Sequence, residues 1–214
     1  MGKQVLQGKL NLTNISFPIQ CMQARSILQA VASIAALNPS YMTTAASHPE
    51  PAERMKLVMA WSIAHLNVVH SFEKPLNPIL GETFVARLDD GTMVYVEQTS
   101  HHPPISHAQI VGPDESYTMN LHTGFSAKAG MNSVQLVVVG WKEIVFRDGS
   151  TIRWNNPGDM YYHTLIGTMY HHVDGGLVFR DEKNGLEGEI GFGSGGKGMP
   201  QDYFSGKIVD KGGK

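Results

Sequence analysis

The fold is decided by the segment TFVARLDDGTMVYVEQTSHHPPISHAQIVGPDESYTMNLHT, which covers residues 83–123. Its short runs of apolar and β-branched residues predict strands at 83–88, 92–99, 105–111 and 116–123. The turn Asp89-Asp90-Gly91 is typical of a tight hairpin, because aspartate and glycine tolerate the positive φ angles that such turns require. Successive strands joined in this way predict an antiparallel sheet.

The same pattern continues through the C-terminal half of the chain. Further hairpin turns are predicted at Asp148-Gly149, Asp174-Gly175-Gly176 and Asn184-Gly185. Strands are predicted at 134–139, 142–147, 151–154, 163–171, 176–180, 186–192 and 203–209. So many short strands in series favour a large sheet that curls into an incomplete barrel.

Upstream of the sheet, apolar residues recur at helical spacing. The segment 24–37 predicts a first helix, which Asn38-Pro39 is expected to end because the residue before a proline avoids the helical region. Ser47 precedes Glu50 by three residues, which is the pattern of a helix-capping box, and a second helix is predicted over 51–69.

Composition narrows the class of protein. The 214 residues are 42% hydrophobic, with 17 basic and 19 acidic residues, so a disordered chain and a strongly basic nucleic-acid binder are both excluded as classes. The single Cys21 allows no internal disulfide and favours a reducing compartment. The N-terminus lacks a signal-peptide core, and polar residues interrupt the uncharged stretch 26–49, so we expect a soluble, cytoplasmic protein.

The first candidate site is EKPLNPILGETF, residues 73–84. Its two prolines and its glycine exclude a continuous helix or a central strand, and the segment is interpreted as an irregular loop. Lys74 and Asn77 could donate hydrogen bonds to an anionic oxygen from a stiff loop of this kind. The alternative is a plain connection from helix to sheet with a solvated lysine.

The second candidate site is EQTSHHPPIS, residues 97–106. Side chains of neighbouring residues in an extended strand point to opposite faces, so His101 and His102 could share one ligand only at a turn. Histidine can donate to phosphate. Two alternatives are weaker: a metal site lacks the usual ligand spacing, and Ser100 beside His101 does not by itself make a nucleophile pair.

One further motif matches a known pattern but does not indicate a nucleotide-binding site. GFGSGG, residues 191–196, matches the G-x-G-x-x-G pattern of dinucleotide sites by letter only, because no helix is predicted to follow it. It is interpreted as a glycine-rich loop between strands. We therefore expect no metal, no cofactor and no catalytic residue of a recognised type.

Two of these segments carry a resemblance to a known family. KPLNPILGETF (74–84) and EQTSHHPPIS (97–106) resemble the two signature motifs of the oxysterol-binding protein-related family. Three more segments are similar to family sequence, in the family's order: ISFPIQCMQARSILQ (15–29), PAERMKLVMAWSIAH (51–65) and YFSGKIVDKGGK (203–214).

The resemblance implies a mainly β lipid-transfer domain. Residues 1–214 would form one domain, with a lid at 1–22, helices at 23–70 and, at 75–214, an incomplete antiparallel β-barrel enclosing a hydrophobic tunnel. The tunnel would hold a sterol or another lipid. By the same resemblance, Lys74, Asn77, His101 and His102 would bind the headgroup of phosphatidylinositol 4-phosphate. The implied partners are lipids and, transiently, a membrane surface, with no nucleic acid.

Family ligand domains continue beyond the point where this sequence stops. This predicts weaker phosphoinositide binding and an open sheet edge, at which a homodimer could form. It also keeps two alternatives open. One is an enzyme on a repurposed lipid-binding barrel, cyclising or isomerising a lipophilic metabolite with Lys74, Glu82, His101 and His102 as acid–base groups. The other is a fragment without independent activity.

Overall fold

The computed structural model describes residues 19–69, 71–193 and 202–210. The helices are α1 (Ile27–Ser33), α2 (Asn38–Ser47) and α3 (Pro51–Val69). The strands are β1 (Met22–Ser26), β2 (Lys74–Leu76), β3 (Thr83–Arg87), β4 (Met93–His101), β5 (Pro104–Val111), β6 (Tyr117–Ala129), β7 (Ser133–Phe146), β8 (Thr151–Asn155), β9 (Gly158–Tyr162), β10 (Tyr170–Asp174), β11 (Gly176–Asp181), β12 (Leu186–Phe192) and β13 (Phe204–Asp210). Short 3-10 turns lie at Ile19–Cys21, Ile34–Leu37 and Pro113–Glu115.

Strands β3 to β13 form one antiparallel sheet of 11 strands, and the predicted fold class is confirmed. Its main path runs β13-β12-β11-β8-β7-β6-β5-β4-β3. The long strand β7 has two neighbours on one edge: β8 pairs with its second half and β9 with its first half, and β10 then pairs with β9. Within the described part of the chain the sheet does not close, because β3 and β13 each have one partner strand.

The helices pack against one face of this sheet. Strands β4 and β5 alternate buried and exposed residues, as expected when one face is covered and the other is wet. The shared core joins Leu28, Met42, Met55 and Trp61 of the helices to buried strand residues, among them Val94, Ile110, Met119, Ile144, Ile152 and Phe179. Burial of these apolar side chains is the main force that holds helices and sheet together.

The N-terminal predictions were right in part. The predicted helix 24–37 begins late, because Met22–Ser26 is strand β1, which pairs in parallel with β2. Ser26 then caps α1 through a capping box with Gln29. The first helical segment stops before Asn38-Pro39 as expected, with α1 ending at Ser33 and the following 3-10 turn at Leu37. Asn38 and Pro39 then start the further helix α2, where a proline in the first turn loses no required hydrogen bond.

The capping box predicted at Ser47 does not form. Ser47 is the last residue of α2, and its hydroxyl donates to the carbonyl of Thr44 at 2.8 Å. Helix α2 itself was missed because it carries no clear apolar stripe; its buried side chains are Asn38, Met42 and Ala45. The second predicted helix, 51–69, is confirmed as α3.

Three strand predictions need correction. The segments 134–139 and 142–147 form the single strand β7, which continues through Gly140. The predicted strand 163–171 was wrong, because residues 163–169 form a loop between β9 and β10. An apolar sequence suggested a strand there, although Leu165 and Ile166 are exposed rather than packed.

Some predictions lie partly or wholly outside the described residues. The lid at 1–22 is one, since only 19–22 are described, as a 3-10 turn and the start of β1. Of the glycine-rich motif, Gly191 and Phe192 belong to β12. Residues 194–196 lie outside the described part.

Candidate functional site

The first donor loop holds Lys74 and Asn77 together. Lys74 opens the short strand β2, which β1 fixes through the pairing of Met22 with Lys74. The Lys74 ammonium donates to Oδ1 of Asn77 at 2.7 Å. Partial burial lowers the pKa of Lys74, because the charged form loses hydration there. An anionic ligand would restore favourable contacts to this poorly hydrated ammonium.

The second donor loop is the turn between β4 and β5. His101 is the last residue of β4 and pairs across the turn with Pro104, while His102 lies in the turn and precedes a cis proline bond. The two rings approach edge to face, with centroids 4.6 Å apart, and both residues are exposed. The expectation that the pair could act together only at a turn is therefore met by the geometry.

Gln98 ties the two loops to each other. Its backbone carbonyl accepts from the amide of Gly81 at 2.8 Å, and its backbone amide donates to the carbonyl of Glu82 at 3.0 Å. Its buried side-chain amide donates to the carbonyl of Ser100 at 2.7 Å and accepts from the hydroxyl of Ser106 at 2.6 Å. Gln98 thus fixes the approach of both loops to the same end of the sheet.

Sequence reasoning missed Gln98 and Ser106 as positioning residues. Their signal was present, since both belong to the 97–106 motif, but a buried glutamine cannot be distinguished from an exposed one by sequence alone. Glu82, which was weighed as an acid–base group, accepts from the amide of Ile79 at 3.0 Å. Its carboxylate therefore stabilises the backbone of the first donor loop.

A buried polar cluster on the core side of β7 was also missed. Lys142 is 5% exposed, its ammonium donates to Oδ1 of Asn156, and burial lowers its pKa to about 8 while the charge of Asp159 opposes this shift. Asp159 in turn lies 2.9 Å from Nε2 of His171. The pKa of the neighbouring Tyr161 is raised to about 12, mainly by burial.

Two further histidines, His107 and His122, contact each other rather than the donor loops. His107 and His122 stack on the outer face of the sheet, with ring centroids 4.7 Å apart, and Thr99 contacts Nδ1 of His107 at 2.7 Å. In the described ranges, no three or more His, Cys, Asp or Glu side chains gather as a metal site would require. The chemistry available at the two donor loops is hydrogen bonding to an anionic group.

The fold defines an unclosed antiparallel β-sheet domain whose face is packed by N-terminal helices. Residues 4–214 match the family model described as oxysterol-binding protein, and the chain belongs to this family. The resemblance seen in the two signature motifs is thereby confirmed.

Two curated relatives show how much of a family protein the chain spans. It is 35% identical over 205 residues to oxysterol-binding protein 9 of Dictyostelium discoideum, a match covering 96% of this chain and 48% of that protein. It is 28% identical over 196 residues to mouse (Mus musculus) oxysterol-binding protein-related protein 5, covering 87% of this chain and 22% of that protein. The chain thus spans half or less of the length of these relatives.

Solved structures support the same fold. The Osh1 ORD domain in complex with cholesterol superposes with a TM-score of 0.85 at 22% identity, covering 98% of this chain and 51% of that one. The Osh3 ORD of Saccharomyces cerevisiae in complex with PI(4)P gives 0.84 at 22% identity, covering 97% and 56%. None of these matches supports the alternative of an enzyme. No helix among the described residues has the length and apolarity to cross a bilayer.

Proposed function

We propose that the chain is the core of a lipid-binding and lipid-transfer protein of the cytoplasm. It would hold a sterol or a similar lipid in a tunnel on the helix side of the curled sheet, and it would bind the phosphate headgroup of phosphatidylinositol 4-phosphate at the two donor loops. Solved family members in complex with cholesterol, ergosterol and PI(4)P support both ligand classes.

The observation that carries this proposal is the linkage of the two donor loops through Gln98. Lys74 with Asn77, and His101 with His102, lie on the two donor loops at one end of the sheet. The backbone of Gln98 holds the first loop through Gly81 and Glu82, and its side chain holds the second through Ser100 and Ser106. A phosphate monoester offers several acceptor oxygens and matches such a set of donors. The lipid body would then extend along the apolar face of the sheet.

Substitution of the donors tests the headgroup site. We expect Lys74→Ala, and separately His101→Ala/His102→Ala, to reduce extraction of phosphatidylinositol 4-phosphate from vesicles by roughly tenfold or more, since each removes charge-assisted hydrogen bonds. Sterol uptake from a soluble carrier should persist, because the lipid body contacts other residues. Extraction is measured with a fluorescent headgroup sensor.

The matched control is Lys56→Ala. Lys56 is an exposed lysine of α3 that pairs with Glu53, so its loss removes the same charge away from the donor loops. Unchanged extraction by a folded Lys74→Ala protein would contradict the assigned headgroup site. Equal losses in the Lys56→Ala and Lys74→Ala proteins would also contradict it, because they would reveal a general effect of charge.

The proposal includes two kinds of association. Transient contact with a membrane follows from lipid extraction itself. A homodimer is supported by β13, whose outer edge is unpaired among the described residues and whose side chains are mostly exposed. Light scattering after size-exclusion chromatography reports the molar mass and tests the dimer.

A further inference from the structure

Two loops meet at one end of the sheet and are bound together by Asn132. Asn132 lies in the turn between β6 and β7, and its Oδ1 accepts from the amides of Leu165 and Ile166 at 2.9 and 3.1 Å. Its Nδ2 donates to the carbonyl of Ile166 at 2.9 Å, and its own carbonyl accepts from the amide of Thr164 at 3.3 Å. Four hydrogen bonds therefore hold the β9–β10 loop against the β6–β7 turn.

The two loops that Asn132 joins expose apolar side chains to solvent. Met131 is 95% exposed, Ile166 80% and Leu165 65%. We call these three residues the apolar tip. Scattered exposed hydrophobic residues are common, but three on two loops that four hydrogen bonds of Asn132 hold side by side require an explanation.

The surroundings of the apolar tip have the composition of a membrane interface. Behind it, Tyr162 and Tyr170 stack with centroids 5.0 Å apart, and His163 meets Tyr170 edge to face at 5.3 Å. Aromatic rings with polar ends favour the headgroup level of a bilayer. The two stretches that form this region, 125–139 and 160–173, contain no Asp or Glu and include Lys128. An anionic or neutral lipid surface would meet no negative charge from them.

Strand register locates the apolar tip relative to the headgroup loops. Ile105, next to the His101–Pro104 turn, pairs with Gly124 of β6, so both turns lie at the same end of the sheet. Residues 125–129 extend β6 beyond that point, which is ~16 Å at roughly 3.3 Å per residue. The apolar tip therefore projects past the His101–Pro104 turn along the strand direction.

The opposite end of the sheet has the opposite character. Antiparallel order places there the turns between β3 and β4, β5 and β6, β7 and β8, and β11 and β12. These turns carry six acidic residues, Asp89, Asp90, Asp114, Glu115, Asp148 and Glu182, against two basic ones, Arg147 and Lys183. An end with an excess of acidic residues and a projecting tip without them favour one orientation of the domain toward a lipid surface.

We propose that Met131, Leu165 and Ile166 insert into the headgroup region of a lipid bilayer and dock the domain with its headgroup loops facing that bilayer. This inference rests on the proposed lipid function and names the surface that would serve it. Three features favour a bilayer over a second protein: the tip protrudes, the rings of Tyr162, His163 and Tyr170 lie next to it, and its two stretches contain no acidic residues.

The test measures binding to phosphatidylcholine vesicles with and without phosphatidylserine. Met131→Asp/Ile166→Asp should lower the partition coefficient by at least about tenfold, because apolar area is lost and negative charge is added. Val85→Asp is the matched control, since Val85 is a 57% exposed hydrophobic residue on another strand, β3. Melting temperatures establish that each variant is folded. Equal vesicle binding by the tip variant and the wild type would overturn the proposal, and so would a loss of self-association without a loss of vesicle binding.

A second measurement separates this inference from the proposed function. In a Cys21→Ser background, an environment-sensitive dye on Met131→Cys should shift to the blue on vesicle addition, whereas the dye on Asp89→Cys at the acidic end should not. Sterol uptake from a soluble carrier should survive Met131→Asp/Ile166→Asp. Absence of sterol uptake by the wild type would contradict the proposed function. Absence of a blue shift from the dye at position 131 would contradict insertion of the apolar tip into the bilayer.

Discussion

At the residue scale, the sequence was informative where chemistry and turn geometry coincide. Lys74, Asn77, His101 and His102 were selected because prolines stiffen both segments, and the structure puts each pair in contact. The same reasoning did not identify Lys142. It lies in the strand segment GWKEIVF, in which the order of polar and apolar residues does not tell which face of the sheet Lys142 is on. Only tertiary packing buries its ammonium.

The buried Lys142 predicts a specific dependence of stability on pH. Its pKa is about 8 in the folded chain against 10.5 for an ordinary lysine, so between pH 8 and 10 the unfolded state binds more protons at this site. The free energy of unfolding that Lys142 contributes must therefore rise with pH in this window, by at most ~1.4 kcal/mol per pH unit. Urea unfolding of wild type and Lys142→Met at pH 7, 8, 9 and 10 measures the difference.

We expect the free energy of unfolding of the wild type, minus that of Lys142→Met, to rise by ~2 kcal/mol from pH 8 to 10 and to stay constant below pH 7. Lys56→Met, at an exposed position, should follow the wild type throughout. Tyr161, with its pKa raised to about 12, acts in the opposite direction and only above pH 10. Parallel profiles for wild type and Lys142→Met would show that the ammonium is hydrated in solution.

At the scale of elements, three of the four predicted hairpins were right and long strands were predicted poorly. The hairpin predicted at Asp174-Gly175-Gly176 was wrong, because β10 pairs with β9 and β11 pairs with β8 and β12. The turns Asp89-Asp90-Gly91, Asp148-Gly149 and Asn184-Gly185 each separate two observed strands, since their residues suit positive φ angles locally. The strands predicted at 134–139 and 142–147 are one strand, β7, which runs through Gly140 between them. A glycine in a strand marks either an end or a close backbone approach, and the sequence does not distinguish these.

Gly140 is a close approach, and this makes it intolerant of any side chain. Its φ is +119°, and a Cβ placed on it would lie 1.9 Å from the carbonyl oxygen of His122 on β6. Gly140→Ala should therefore cost ~3 kcal/mol or more, because the β6–β7 ladder has to shift. Gly149→Ala is the control: its φ is +77° but nothing lies within 4 Å, so the cost should be about 1 kcal/mol. Chemical denaturation measures both, and equal costs would contradict the close approach.

At the scale of the whole molecule, the sheet has two unlike ends joined by one core. The helices bind the acidic end, where Arg54 of α3 pairs with Asp148 at 2.6 Å and Thr43 of α2 contacts Asp90 at 3.5 Å. At the other end, α1 begins beside the first donor loop, because Ser26 caps α1 and pairs with Leu76 of β2. The near-neutral net charge does not show this difference, whereas strand order shows that the turns at one end have an excess of acidic residues.

The same arrangement predicts that helices and sheet unfold together as one domain. Trp61 of α3 is fully buried, donates to Oδ1 of Asn38 at 2.9 Å, stacks on His65 and meets Trp154 of β8 edge to face at 6.1 Å. Trp61→Ala should therefore lower the free energy of unfolding by ~3–5 kcal/mol, and Trp61→Phe by less. Far-ultraviolet circular dichroism follows the helices, and near-ultraviolet dichroism reports packing around Trp154.

Coincident transitions that shift together in both variants are expected of a single cooperative unit. The reason is that Trp61 of α3 packs on Trp154, which stacks on Phe179, so loss of the helix opens this part of the core to water. If the helical signal instead melts before the tryptophan signal in Trp61→Phe, the helices form a separable unit. Lipid access from the helix side would then require no unfolding of the sheet.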